Sequence, residues 1–257
     1  EQISGQPYID TRLSLNSFLP KKLPKEIGYK IIDYGIEKLK KNPQFHDKIE
    51  FEISTPSYNF DTKYLIAKRF KSILTKKQQI TLIKELKKLT LSFLDESNNF
   101  SISKELKKIN KLDNDFNSFK KKDIKLLPKL ISICKNLGTL NFSILARHGF
   151  VAKSFLNSMI NQKILSKLDV EKFEQSLNTI TKQMLTDLSL VGEKKISSKN
   201  FMLKYGHLRP GTYDICSMRY DQIKNFNFKV QNLNKDKPKF ALSNKLIFKI
   251  NRILKKE

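Results

Sequence analysis

A chain of 257 residues and 30.0 kDa is long enough for one large domain or two small ones. Its hydrophobic share of 39%, which includes 18 Phe, supports a core and excludes a fully disordered chain. No apolar run approaches the ~20 residues that cross a bilayer, and two cysteines, Cys134 and Cys216, predict neither a disulfide framework nor a zinc cluster. We therefore expect a protein of the reducing cytoplasm that has no membrane partner.

The net charge of +25 comes from 50 Lys and Arg against 25 Asp and Glu. A balance this basic is typical of proteins that bind nucleic acid or another polyanion. Only six of the basic residues are Arg, however, and Lys pairs are spread along the whole chain. This distribution favours solvated helix surfaces. A non-enzymatic basic helical module that binds nucleic acid stays the alternative interpretation.

The first sixty residues predict one helix and a small β element. Residues 7–15 alternate loosely, as in a strand or an extended arm. Apolar residues at helical spacing predict a helix between Pro24 and Asn42. Apolar and charged residues alternate strictly through 48–54, which predicts a strand.

The rest of the chain predicts helices. Their residues are 75–94, 101–112, 123–137, 140–162, 170–191 and 241 to the end. Gly138 is expected to mark a turn, and the apolar helix over 140–162 is expected to be central and buried. The spacing in 170–191 indicates a bundle seam. The predicted fold is therefore mainly α, a helical bundle-like domain with a small β element near the N-terminus.

The densest cluster of chemically active side chains lies in residues 205–221. His207 titrates near neutral pH and can exchange a proton with a reacting group, and Asp214 can orient it. Arg209 and Arg219 carry planar donors that suit phosphate or carboxylate. The alternative is a turn whose His and Asp only cap helices.

Two other segments carry notable charges. On the predicted strand, Glu50 and Glu52 would face the same side and could hold an amine, an amide or a cation. The alternative is a plain solvent face. Arg147 and His148 lie inside an apolar helix, where a buried Arg needs an anionic partner, which is either a structural acid or a ligand. No residue spacing predicts a metal site, and no Gly-rich phosphate loop predicts an ATP site.

Residues 205–215, followed by Arg219-Tyr220-Asp221, resemble a signature of the phosphoenolpyruvate synthase and pyruvate phosphate dikinase-like phosphotransferases. The form of the motif looks most like the branch found in capsule and surface-polysaccharide clusters, which includes L-glutamine kinase. Supporting matches follow the same order along the chain, so that the resemblance spans about residues 5–255. These matches are residues 7–12, 16–18, 46–52 and 146–150.

The resemblance implies an enzyme of three parts. An ATP-grasp-like domain binds ATP and Mg²⁺, a small domain carries a phosphorylated His, and a helical domain between them holds the phosphoryl acceptor. Residues 1–257 resemble the acceptor domain alone, and the start at Glu1 rather than Met agrees with a fragment or a processed chain. The ATP-grasp domain would precede this chain and the phospho-His domain would follow it. The isolated chain is expected to be inactive and to bind no cofactor.

The implied acceptor is a small polar metabolite, and the first candidate is the side-chain amide of L-glutamine. Phosphoryl transfer depends on positioning and charge stabilisation. We therefore expect His207 to act as acid or base, and Arg209, with Arg12, to contact the phosphoryl group or the acceptor carboxylate. His207 and Arg209 are the expected catalytic pair. The expected substrate-binding residues, which should converge with that pair on one cleft, are Arg12, Glu50, Glu52, Arg147, His148, Asp214 and Arg219.

Overall fold

The computed structural model describes residues 2–3, 6–117, 123–210, 216–224 and 240–255. They are mainly helical, which confirms the prediction of a mainly α protein. Within the span that the sequence suggests as one domain, the chain divides into two compact units. The first is Glu1–Leu165 with Arg252–Glu257, and the second is Ser166–Asn251. None of the helices so described has the length and apolar content needed to cross a membrane.

The first unit contains most of the helices. They are α1 (Thr11–Asn16), α2 (Lys25–Lys41), α3 (Thr62–Arg69), α4 (Lys76–Leu94), α5 (Ile102–Asn117), α6 (Leu127–Ile133) and α7 (Leu140–Asn161). The predicted helices α2 and α4 are confirmed. Helix α4 begins with a capping box, in which the Thr75 hydroxyl accepts from the Gln78 N–H and the Gln78 side chain accepts from the Thr75 N–H.

The predicted strand over 48–54 is wrong. Ile49–Ile53 form a π-helical turn, in which the Ser54 N–H donates to the Ile49 carbonyl at 2.8 Å. Ile49 and Ile53 are four residues apart, so this turn packs both of them against Leu15 and Ile32. The alternation of apolar residues in this segment is therefore compatible with a helical turn as well as with a strand.

The predicted arm over 7–15 is wrong for most of its length. Thr11–Asn16 form α1, which the Asp10 carboxylate caps by accepting from the Leu13 N–H at 3.0 Å. The strands in the described part of the chain are only two residues long. Gln2–Ile3 and Gln6–Pro7 pair with each other in antiparallel register.

Helix α7 differs from the central apolar helix that the sequence predicts. A π-helical segment, Cys134–Thr139, joins α6 to α7 without the turn expected at Gly138. The large side chains of Leu140 and Phe142 are exposed. Polar residues are prominent among those that α7 buries, which are Asn141, Val151 and Ser158.

The core of the first unit lies between α2, α3 and α4. The segment 54–61 has no regular secondary structure, yet much of it is buried beside this core. The Tyr58 N–H donates to the Thr90 hydroxyl of α4 at 2.7 Å, which fixes the segment to that helix. The clustered side chains are Leu23, Ile27, Tyr58, Ile66, Phe70, Leu74, Leu82 and Leu86.

The second unit is built from shorter helices. They are α8 (Lys167–Ser176), α9 (Ile180–Gly192) and α10 (Ser198–Tyr205), and α11 (Asn244–Leu254) follows. The prediction of one continuous helix over 170–191 is wrong. Leu177 is extended and the Thr179 hydroxyl caps a new helix by accepting from the Lys182 N–H. The core of this unit joins α9 to α10 through Leu188, Val191, Phe201 and Tyr205.

Candidate functional site

One side of α7 carries a row of polar residues. Arg147, Ser154, Ser158 and Asn161 are seven, four and three residues apart, which places them on one helical face. The segment 54–61 runs along this face and exchanges hydrogen bonds with it. These bonds join Arg147 to the Pro56 carbonyl at 3.5 Å, Asn59 to the Ser154 hydroxyl at 2.6 Å and Asn161 to the Asp61 carboxylate at 2.8 Å.

A polar pocket lies between α7, the segment 54–61 and the end of α3. Its volume is about 130 Å³, the share of liquid volume taken by about four water molecules. Among the polar residues that line it are Glu50, Ser57, Asp61, Arg69, Asn157 and Ser158.

Two hydroxyl groups in this pocket have no hydrogen-bond partner. Ser57 and Ser158 are each 1% exposed, and neither Oγ has a donor or acceptor within reach in the described structure. An unpartnered buried polar group costs roughly 1–3 kcal/mol. Both serines line the pocket, and their hydroxyl oxygens are buried in its wall.

Arg69 brings a positive charge to the pocket. Its Nη1 donates to the carbonyls of Ile53 (3.2 Å) and Ser54 (2.7 Å) and to the Thr55 hydroxyl (3.2 Å). Burial lowers the pKa of Arg69, which indicates that its charge is partly desolvated. Within the described ranges it makes no ion pair, so an anionic ligand group would complement it.

Sequence reasoning missed Arg69, although one signal was present. Arg69 is one of only six Arg in a chain rich in Lys, and Arg is the better fork for an anionic group. Arg69 was not predicted because it lies outside the sequence clusters that contain His. The polar row on α7 was a second signal, because Ser and Asn recur there on one face of an apolar helix.

Of the acidic pair predicted on a strand, only Glu50 lines the pocket. The prediction that Glu50 and Glu52 share a face is wrong, because residues two apart in a helical turn point in different directions. Glu52 is exposed, and its charge acts on Arg69 and Lys38.

Arg147 connects α7 to the end of α1 and the loop that follows it. Its guanidinium donates to the carbonyls of Ser17 (2.7 Å) and Phe18 (3.0 Å) and stacks on the Phe18 ring. Burial lowers the pKa of Arg147, and its buried Nε has no partner. The acidic partner expected from the sequence is not found among the described residues, and backbone carbonyls take its place.

The remaining predicted residues of the first unit lie away from the pocket lining. The His148 ring nitrogen Nε2 is 2.9 Å from the Phe100 carbonyl, and the ring packs edge-on against Phe93. Arg12 pairs with Asp33 at 2.8 Å, and both side chains are more than half exposed. Of the five residues predicted in this unit, Glu50 is the one that lines the pocket.

In the second unit, the loop that carries His207 is closed by two backbone hydrogen bonds. The Tyr220 N–H donates to the Leu208 carbonyl at 2.9 Å, and the Asp221 N–H donates to the Gly206 carbonyl at 3.1 Å. Residues 206–208 therefore lie beside 220–221. His207 is exposed at this loop.

The charged residues of this loop are held in place by local bonds. Arg219 donates two hydrogen bonds to the Asp221 carboxylate, which lower the pKa of Asp221, and the nearby His207 lowers it further. Arg209 Nη1 donates to the Ser217 carbonyl at 3.1 Å. Asp214 lies outside the described residues. The convergence of these groups with those of the first unit on one cleft stays a prediction.

No group of three or more His, Cys, Asp or Glu side chains could hold a metal ion in the described parts of the chain. Comparison with protein-family models, with curated proteins and with solved structures finds no match. The family resemblance therefore rests on the motifs in the sequence.

Proposed function

We propose that this chain binds the small polar acceptor of an ATP-dependent phosphotransferase that relays its phosphoryl group through a histidine. The motifs at 205–221 and their companions support the reaction class. The observation that carries the proposal is the polar pocket of the first unit, in which Ser57 and Ser158 are buried without partners. Such a pocket fits a compact molecule rich in hydrogen-bonding groups.

The proposal assigns different tasks to different parts of the protein. The pocket holds the acceptor, for which the side-chain amide of L-glutamine is the first candidate. His207 and Arg209, which belong to the second unit, assist the transfer to this acceptor. ATP and Mg²⁺ are bound by a domain outside this sequence, and the phosphorylated His lies on another. The proposed setting is the cytoplasm, in the biosynthesis of capsule or surface polysaccharide.

Calorimetric titration of the 257-residue chain with L-glutamine tests the binding step. We expect saturable binding that changes little between low and high salt, because a small pocket displaces few counterions. The alternative, a basic module that binds nucleic acid, predicts that oligonucleotide affinity falls steeply as salt rises. Salt-sensitive oligonucleotide binding without any small-molecule binding would replace the proposal by that alternative.

The transfer step is tested in a protein that carries the flanking domains. His207→Ala is expected to leave ATP-dependent phosphorylation of the relay histidine intact and to slow transfer to the acceptor by about 10²–10⁴-fold. Labelled ATP with and without acceptor separates the two half-reactions. Phospho-enzyme that discharges to acceptor at the normal rate would remove His207 from the mechanism.

A further inference from the structure

We infer that the polar pocket selects a dipolar ligand, whose carboxylate pairs with Arg69 and whose protonated amine pairs with Glu50. This inference rests on the proposed function only in taking this pocket as the site of the small polar acceptor. It adds Arg69 as the residue that recognises the carboxylate, and it assigns the amine of the ligand to Glu50 alone. Neither Arg69 nor the two unpartnered serines belongs to the motifs that suggested the reaction.

The case for a carboxylate begins with the hydrogen bonds of Arg69. All its bonds to Ile53, Ser54 and Thr55 come from Nη1. The Nη2 and Nε groups make no hydrogen bond to the described residues, and the side chain lines the pocket. A carboxylate offers two oxygens that match such a planar fork, and it would form the ion pair that Arg69 lacks within the described ranges.

The other charges of the lining argue against a phosphate ligand. Glu50 and Asp61 both line the pocket, so its fixed groups carry one positive and two negative charges. A dianionic ligand would be repelled by the two carboxylates. A ligand with one carboxylate and one ammonium group satisfies Arg69 without adding net negative charge.

Glu50 is the acid that remains available for an ammonium group. The Asp61 carboxylate already accepts from the amides of Asn161 (2.8 Å) and Gln162 (2.6 Å). Glu50 is partly buried and forms no ion pair within the described ranges, not even with Arg69. An ammonium group has three donors, and a Glu50 carboxylate at the pocket can accept from it.

The neutral polar groups of the pocket are suited to the rest of the ligand. Ser57 and Ser158 each offer a hydroxyl that both donates and accepts. The Asn157 amide also lines the pocket and makes no hydrogen bond to the described residues. The Asn157 amide, beside the two serines of the lining, would bind an amide or hydroxyl on the side chain of the ligand.

The test compares three probes that differ by one group. L-glutamine carries both charges, glutaramate lacks the amine, and 4-aminobutanamide lacks the carboxylate. Calorimetric titration of the 257-residue chain is expected to show L-glutamine binding at least about tenfold more tightly than either analogue, since each lost charged hydrogen bond removes that much or more.

Variants assign each charge to its residue. Arg69→Gln is expected to abolish the preference for L-glutamine over 4-aminobutanamide and to keep the preference over glutaramate. Glu50→Gln is expected to do the reverse. The matched control is Arg252→Gln, at an exposed position of α11, which should change neither preference.

Arg69 also holds backbone carbonyls, so circular dichroism of each variant must accompany the titrations. Arg69→Lys keeps the positive charge and should retain part of the preference for a carboxylate. Failure of L-glutamine to bind, equal binding of the three probes, or unchanged preferences in Glu50→Gln would overturn the inference. If a protein with the flanking domains still phosphorylates another acceptor, the proposed function survives that result. Selective L-glutamine binding without any transfer would instead remove the proposed function and keep the inference.

Discussion

Replacement of Ser158 by alanine should not destabilise the protein, although the residue is buried. Its hydroxyl has no partner in the described structure, and its side chain is 1% exposed on α7. The wild-type protein therefore bears the desolvation of a polar group with no compensating hydrogen bond. Ser158→Ala removes that group and introduces a better helix former.

The structure bounds the size of the effect. An unpartnered buried hydroxyl costs roughly 1–3 kcal/mol, and a water molecule that reaches it offsets most of this. We therefore expect the free energy of unfolding of Ser158→Ala to be unchanged or to rise by about 1–2 kcal/mol. The same variant should bind L-glutamine more weakly, since Ser158 lines the pocket.

Thr90→Val provides the matched control. The Thr90 hydroxyl is also buried, but it accepts from the Tyr58 N–H at 2.7 Å. Valine keeps the shape of the side chain and removes the acceptor, so the free energy of unfolding of this variant should fall by about 1–3 kcal/mol. Urea unfolding followed by circular dichroism measures both changes. A loss of stability in Ser158→Ala as large as that in Thr90→Val would refute the reasoning, because it would show that the serine hydroxyl has a structural partner.

Three further predictions concern local contacts. An added Cβ at Gly206 would lie 2.4 Å from a backbone oxygen, so Gly206→Ala should lower the free energy of unfolding by about 1–3 kcal/mol. An added Cβ at Gly149 would have no atom within 4 Å, so Gly149→Ala should raise it by about 0.5–1 kcal/mol. Urea unfolding measures both changes. The hydrogen bond from Lys204 lowers the pKa of Asp187, so its stabilisation is present above the unfolded-state pKa and is lost as pH falls through the folded-state pKa. Asp187→Asn should therefore be less stable than wild type in denaturant unfolding at neutral pH and equal to it in strong acid. The free energy of unfolding of Arg147→Lys should fall by about 1–3 kcal/mol in the same assay. One ammonium group cannot replace the planar guanidinium, which reaches both the Ser17 and the Pro56 carbonyls.

The helices could be predicted where the sequence contains both an apolar period and a start signal. Helix α4 has both, since Thr75 and Gln78 form a capping box ahead of the apolar residues. The break before α9 was missed because the apolar period continues through Leu177. There the Thr179 cap starts a new helix, and local hydrogen bonding overrides the period.

The candidate site could be predicted only in part. Glu50 was predicted as a site residue because it lies in a segment of charged residues, and it does line the pocket. Ser57 and Ser158 were not recognised, because serine is ordinary in this composition and its role depends on which face is buried. That face is set by the packing of the segment 54–61 against α4 and α7. No local sequence pattern predicts this packing.

The distribution of unpartnered polar atoms supports the choice of this pocket. In the described part of the chain, the buried side-chain atoms that lack a partner belong to four residues. Glu105 and Arg147 each make other hydrogen bonds, with Lys108 and with the Ser17 carbonyl. The other two residues, Ser57 and Ser158, have no bond through their only polar atom, and both line the same pocket. This shared location supports the choice of the pocket, because stability alone would favour alanine at both positions.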